Sequence, residues 1–289
     1  MHHTGDITLA IRSLEGLALG DAYGELYIGL PAGKTDLPDI GRHEWFWTDD
    51  THMAISIVEI LKKYDQINQD ALAGVFAHRY AEDPFRGYGG GAVTLLTKIY
   101  HGADWRDAAP ALFGGGSYGN GAAMRVAPLG AYFHEDIRKA AEQARLSAAV
   151  THAHPEGQAG AIAVAVAAAV AAQRPFPQEN DFIREVERFV PESETLRRIR
   201  HSRSIAADDL ATAKEQLGTG FEVSAQDTVP FCIWSAAHHL HSYKDALVHT
   251  VAARGDCDTT CAMVGGIVAL SVETLPLDWY IQREPLPVL

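Results

Sequence analysis

The chain predicts an all-α fold, and three observations carry that expectation. Apolar residues recur at the helical spacing in nearly every periodic segment, and convincing alternating strands are absent. A run of small apolar residues, Ala159–Ala172, reads as a helix buried on all sides. The composition agrees: 289 residues, 47% hydrophobic and 21% charged, suit a folded chain with one large core. No composition break divides the sequence. Residues 1–289 therefore read as a single domain of roughly ten to fourteen helices closing on one central site.

In chain order, Ile7–Leu19 places Ile7, Ile11, Leu14 and Ala18 on one stripe, and Gly20-Asp21-Ala22-Tyr23-Gly24 is expected to stop that helix. Glu25–Glu44 mixes glycine, proline and charge and reads as a long loop. Trp45–Met53 then passes into a helix ending near Lys63, with Met53, Ile57, Ile60 and Leu61 on one face. Gln69–Tyr80 is a further helix. A glycine-rich loop, Asp83–Gly91, leads to helix Ala92–Tyr100 and a short helix Trp105–Leu112. A second glycine-rich loop spans Phe113–Gly121. Asp136–Val150 is helical and ends at Thr151-His152-Ala153-His154, where Pro155 suits a helix start. Gln173–Gly220 is polar and broken by Pro175, Pro177 and Pro191, and its Arg197, Arg198, Arg200 and Arg203 read as a solvated face. Ser224–Leu240 and Tyr243–Ala253 complete the helical pattern, with His238, His239 and His241 read as a helix end favoured by the dipole. Arg254–Thr260 runs into a last apolar helix, Cys261–Leu270.

Lys plus Arg total 24 against 37 Asp plus Glu, a formal charge of −13. That balance argues against a general nucleic-acid or anionic-membrane binder, while leaving room for a phosphorylated ligand held by backbone N–H groups. The three cysteines, Cys232, Cys257 and Cys261, are an odd and sparse set. They indicate a reducing compartment and read as small buried residues. The N-terminus shows no basic region followed by an apolar core, and Ala159–Ala172 is too short and weakly hydrophobic for a bilayer span. A cytoplasmic monomer is the expectation.

Chemistry concentrates in two clusters. Thr48-Asp49-Asp50-Thr51 precedes an apolar helix, and Asp256-Cys257-Asp258-Thr259-Thr260 precedes another. Either alone is an ordinary N-cap with favourable charge at the dipole. Facing one another, their four carboxylates would repel unless cations lay between them, which points to a hard, oxygen-loving metal such as Mg²⁺ or Mn²⁺. The two glycine-rich loops read either as phosphate cradles or as tight helix–helix turns. His152 and His154, two apart, read by themselves as loop or capping residues.

Five segments resemble the ADP-ribosylglycohydrolase family, in that family's order and across most of the chain. They are Gly16–Gly24, Trp47–Thr51, Gly119–Gly130, Thr151–Gly157, and Gly255–Thr260 with Gly265-Gly266. The resemblance implies an all-α domain around two Mg²⁺ or Mn²⁺ ions, and hydrolysis of the glycosidic bond between ADP-ribose and an acceptor, a protein arginine foremost. It implies metal ligation by Thr48, Asp49, Asp50, Asp256, Asp258 and Thr259. It implies substrate binding by Phe113, Gly116, Ser117, Tyr118, Gly119, Asn120, Gly121, Met124 and His152. Asn120 and backbone N–H groups would hold the diphosphate and ribose, Phe113 and Tyr118 would stack on adenine, and His152 would lie near the diphosphate. Two positions depart from relatives: Ile28 stands where some carry Glu, and Tyr88-Gly89-Gly90-Gly91 lacks an acid that others have there. Base catalysis is therefore expected to fall on Asp49 or Asp50. An ADP-ribose-binding module without turnover, a hydrolase for another acceptor and an unrelated dimetal phosphohydrolase remain alternatives.

Overall fold

The computed structural model describes residues 5–29, 44–173 and 178–288. Most of the predicted 25–44 loop lies outside the described residues, as do Pro175, Pro177 and the start of the chain. Among the described residues the structure is helical, with only two isolated bridges, Trp45 to Arg283 and Gly119 to Ser224.

The helices are α1 (Ile7–Glu25), α2 (Asp49–Tyr64), α3 (Gln69–Glu82), α4 (Gly90–Tyr100), α5 (Trp105–Ala111), α6 (Ala127–Tyr132), α7 (Ile137–Ala149) and α8 (Pro155–Ala172). They continue as α9 (Glu179–Glu187), α10 (Glu194–Ser202), α11 (Leu210–Leu217), α12 (Ala225–His238), α13 (Tyr243–Ala252), α14 (Cys257–Val268) and α15 (Leu277–Tyr280). One-turn 3₁₀ segments cover Leu112–Gly114 and Asn120–Ala122. The polar stretch after residue 178 holds three short helices, which raises the number above what apolar periodicity suggests. Their stripes are short, and ion pairs decorate the exposed side, Arg197 with Glu194 and Arg200 with Glu192, while Arg203 pairs with the half-buried Glu187.

Helix α8 is the centre. All but its ends are buried, and α6, α7, α9, α12 and α14 pack around it. Its alanines and valines permit that crowding: a Cβ on Gly130 of α6 would lie 1.9 Å from the Ala165 carbonyl oxygen. By length and composition it is the one described helix that could cross a membrane, and 78% of that window is buried inside the protein.

Helix α1 does not stop at Gly20. It runs on to Glu25, because its glycines form a seam against α14 and do not act as a stop signal. Cβ atoms at Gly20 and Gly24 would lie 2.1 and 2.2 Å from the carbonyl oxygens of Cys261 and Cys257. Tertiary contact overrides the local cost of glycine in a helix. The seam sets Asp21 of α1 opposite the first turn of α14. Cys232, Cys257 and Cys261 are free and buried around it.

His238, in the last turn of α12, packs edge-on to Trp234 at 5.2 Å, and burial lowers its pKa.

Candidate active site

Two helix N-termini converge. Thr48 caps α2: its hydroxyl lies 2.9 Å from both Asp21 Oδ1 and Asp50 Oδ2 and is 3.4 Å from the Asp50 N–H. The turn is pinned from outside by Asp49 N–H donating to the Arg86 carbonyl at 2.7 Å. Arg86 stacks over Trp47 at 3.8 Å and pairs with Glu284 at 2.7 Å, which holds the 83–89 loop against this turn.

Asp21 organises the turn from behind. It is fully buried and accepts from the N–H groups of Thr48 (2.9 Å) and Thr51 (3.1 Å) and from the hydroxyls of Thr48 (2.9 Å) and Thr51 (2.5 Å). Sequence reasoning placed Asp21 in a motif without giving it a role. The available signal was a carboxylate inside an otherwise apolar helical stripe, which a core tolerates only when it is fully hydrogen-bonded.

The second N-terminus is Asp256-Cys257-Asp258-Thr259 at the start of α14. Arg254 and Gly255 both take positive φ (64° and 91°), turning the chain sharply before it. Asp256 N–H donates to the Thr219 carbonyl at 3.1 Å. Its carboxylate accepts from the Asn120 amide at 2.7 Å, and that amide also reaches Thr228 Oγ1 at 3.2 Å. Thr259 Oγ1 lies 3.4 Å from Asp50 Oδ2, so the two clusters meet across the site.

The carboxylates perturb one another. Burial raises Asp49 and Asp50 well above the ordinary carboxylate range, and the charges of Asp21 and Asp258 add to it. Burial and then Asp258 push Asp256 to about 8. Asp21 rises to about 7 through burial, opposed by the Thr51 hydroxyl. At the edge, Glu25 is pushed to about 7 by burial and Asp258.

Do these groups suit a cation? Among the described residues no three His, Cys, Asp or Glu side chains form a closed metal cage. The donors are instead split between two helix starts, and hydroxyls are part of the set. Asp50 Oδ1 and Asp258 Oδ1 are buried with no hydrogen-bond partner among the described residues. A carboxylate oxygen so placed is costly unless a cation satisfies it, and an all-oxygen set suits Mg²⁺ or Mn²⁺. The residues present therefore fit hard cations.

A cavity of about 610 Å³ opens from this cluster. Asp49, Asp256, Asp258 and Thr259 line one end, and Phe113, Ser117, Tyr118, Gly119, Asn120, Gly121, Met124 and His152 line the rest. Thr48, Asp50 and Gly116 do not line it. Thr48 caps α2, Asp50 is 1% exposed behind Asp49, and Gly116 (φ 86°) backs onto residues 153 and 154, where a Cβ would lie 2.6 Å from the His154 nitrogen. Asn120 faces the cavity with its amide committed to Asp256. The N–H groups of Gly119 and Asn120 are likewise engaged, by Ser117 Oγ (3.1 Å) and the Val223 carbonyl (3.2 Å). Among the described residues those of Ser117, Tyr118 and Gly121 make no such bond, which leaves them free to donate to a ligand.

Phe113 and Tyr118 expose 69% and 49% of their surface at the mouth, as stacking faces do. His154 caps α8 through its Nδ1, as its position suggests, whereas His152 is buried against the loop. Gly87, Gly89, Gly90 and Gly91 of the first glycine-rich loop also line the cavity, as do Arg125, Thr151 and Val223, to which no role is assigned from sequence.

Comparison with known proteins bears on this arrangement. A family profile described as ADP-ribosylglycohydrolase matches residues 6–286. The chain is 29% identical to "ADP-ribosylhydrolase ARH3" of Homo sapiens, over 92% of this chain and 86% of that protein. It is 32% identical to the protein of the same name from Xenopus tropicalis, over 94% and 90% respectively. A solved structure described as "ADP-ribosylglycohydrolase-related protein complex" shares the fold, with a TM-score of 0.70 at 20% identity, over 94% of this chain and 91% of that one.

Proposed function

The chain belongs to the ADP-ribosylglycohydrolase family, and from that premise we propose that it is a cation-dependent hydrolase that releases ADP-ribose from an acceptor by cleaving the glycosidic bond. One observation carries the reading: the two Asp/Thr helix starts and the 113–121 loop open into one cavity, so a ligand spanning it would touch both. Thr48, Asp49, Asp50, Asp256, Asp258 and Thr259 would hold the cations, which supply Lewis acidity and a water of lowered pKa when bound.

The protein's own groups divide the remaining work. Phe113 and Tyr118 offer aromatic faces to adenine. The Ser117 and Tyr118 N–H groups, with His152, face the diphosphate. Asn120 orients Asp256 through the 2.7 Å bond. Asp49 lines the cavity and Asp50 does not. Asp49 is thus the better placed to accept a proton from an attacking water, and Asp50 serves from behind it. The bond breaks through a transition state of oxocarbenium character, in which nearby negative charge is stabilising.

For the acceptor we propose an arginine side chain joined through its nitrogen. The family resemblance supports that acceptor, whereas the carboxylates, once they hold cations, carry little net charge to offer a guanidinium. Release of ADP-ribose from peptides modified on arginine, on serine and on a nucleic-acid end is to be measured in parallel with Mg²⁺ or Mn²⁺. Arginine should lead, and Asp49→Asn or Asp258→Asn should abolish release. Preference for another linkage would move the acceptor and keep the hydrolase. Binding of ADP-ribose with no release from any substrate would favour a binding module.

A further inference from the structure

Behind the loop that would hold the diphosphate lies a buried guanidinium that, among the described residues, has no carboxylate partner. Arg125 is 0% exposed and lies over the Phe76 ring at 4.4 Å, with Nη1 3.5 Å from the Met53 sulfur. Its Nη2 donates to Thr151 Oγ1 at 2.8 Å and to the Ser147 carbonyl at 3.3 Å. Thr151 Oγ1 is in turn 2.8 Å from His152 Nδ1.

The direction of these bonds follows from valence. A guanidinium only donates, so the threonine oxygen is the acceptor from Arg125. Burial lowers Arg125 to about 9, which still leaves it charged at neutral pH. The threonine hydroxyl keeps its own proton to give, and among the described residues His152 Nδ1 is the acceptor within reach. A ring nitrogen that accepts carries no proton, so the neutral ring bears its proton on Nε2. Burial and the nearby Arg125 charge lower His152 to about 3, in keeping with a neutral ring. That Nε2 faces the cavity loop: it would be 3.4 and 3.2 Å from a Cβ placed on Gly119 or Gly121, and the absence of side chains at both leaves the ring edge open.

We propose that Arg125 and Thr151 are positioning residues that fix His152 as the Nε2–H tautomer, a neutral donor aimed at the phosphate part of the ligand. The role as a phosphate donor rests on the ADP-ribose reading above, whereas the tautomer does not. A fixed neutral donor binds a diphosphate without needing to be protonated, so its contribution does not fade as pH rises through the ordinary histidine range. The buried arginine charge polarises the relay toward the ligand.

The test uses the full-length protein labelled with ¹⁵N-histidine. In ligand-free wild type at neutral pH, nitrogen–proton correlation spectra should show His152 protonated on Nε2 and bare on Nδ1. Thr151→Ser should keep that pattern. Thr151→Val, which replaces the hydroxyl by a methyl of similar shape, should populate the Nδ1–H form and weaken ADP-ribose binding about tenfold by calorimetry, the loss of one charge-assisted hydrogen bond. A wild-type ring protonated on Nδ1 or on both nitrogens would overturn the proposal, as would Thr151→Val with the wild-type tautomer. If Thr151→Val fails to fold, the wild-type and Thr151→Ser spectra still decide. Absence of ADP-ribose binding by wild type would defeat the functional reading and leave the tautomer to be judged on the ligand-free spectra. Wild-type affinity retained by a folded Thr151→Val would defeat the proposed role and leave the functional reading standing.

Discussion

Gly20→Ala puts the α1–α14 seam to a test whose sign is decisive. An added Cβ would lie 2.1 Å from the Cys261 carbonyl oxygen and 2.8 Å from its carbon. Both obstacles are backbone, so no rotamer change relieves them, and the helices must part by roughly 1 Å to reach ordinary contact. Helix propensity alone would favour alanine by about 1 kcal/mol. Overpacking of a tight core costs about 1–3 kcal/mol, and here the separation also loosens the contacts at Gly16 and Gly24. The net expectation is a loss of about 2 kcal/mol, lowering Tm by roughly 4 °C. Gly74→Ala on α3 is the internal control, since nothing lies within 4 Å of its added Cβ. It should gain the propensity term and raise Tm slightly. Thermal melts followed by circular dichroism read both. A rise in Tm for Gly20→Ala matching that of Gly74→Ala would refute the claim that the seam is at backbone contact. The seam also sets Asp21 against the start of α14, so the folded variant should bind metal less tightly.

Two further predictions concern the carboxylates. The metal-free protein should lose stability as pH rises from about 4 to about 8. Asp256 has its pKa raised from 3.8 to about 8 on folding, so the folded chain holds a proton that the unfolded chain releases across that window, and equilibrium unfolding at several pH values reads the slope. A stability that rises across the same window would contradict the account. Asp21→Asn should destabilise by roughly 2 kcal/mol in urea unfolding, because an amide NH₂ would face groups that now donate to the carboxylate from Thr48 and Thr51. Unchanged or increased stability would mean that relief of charge repulsion outweighs those bonds.

Different parts of this molecule were legible to different degrees, for physical reasons. Helix α2 shows in the sequence because its apolar periodicity and its burial report the same face, and α8 shows because an unbroken run of small apolar residues suits a helix buried on every side. The end of α1 did not show, since glycine as a stop and glycine as a contact surface look alike until the partner helix is in place. The Asp/Thr clusters were visible as clusters, because acidic residues at helix starts are a local signal. Their division of labour was not: that Asp49 meets the cavity while Asp50 and Asp21 stand behind it depends on how α1, α2 and α14 cross. Asn120 shows the same limit. Its place in the glycine-rich loop suggested a ligand donor, and only the fold brings Asp256, 136 residues away, to within 2.7 Å of its amide. Arg125 and Thr151 fall within two of the family-like segments, but their pairing gave no signal, since a buried arginine joined to a threonine hydroxyl has no spacing rule.

The central claim is that these carboxylates gather to hold cations which place an ADP-ribosyl bond for hydrolysis. The most direct measurement is the initial rate of ADP-ribose release from an ADP-ribosylarginine peptide as Mn²⁺ is titrated into metal-free protein. The account predicts no release without metal, a rise that saturates with metal occupancy, and loss of that rise in Asp258→Asn. Undiminished release in excess chelator would contradict it.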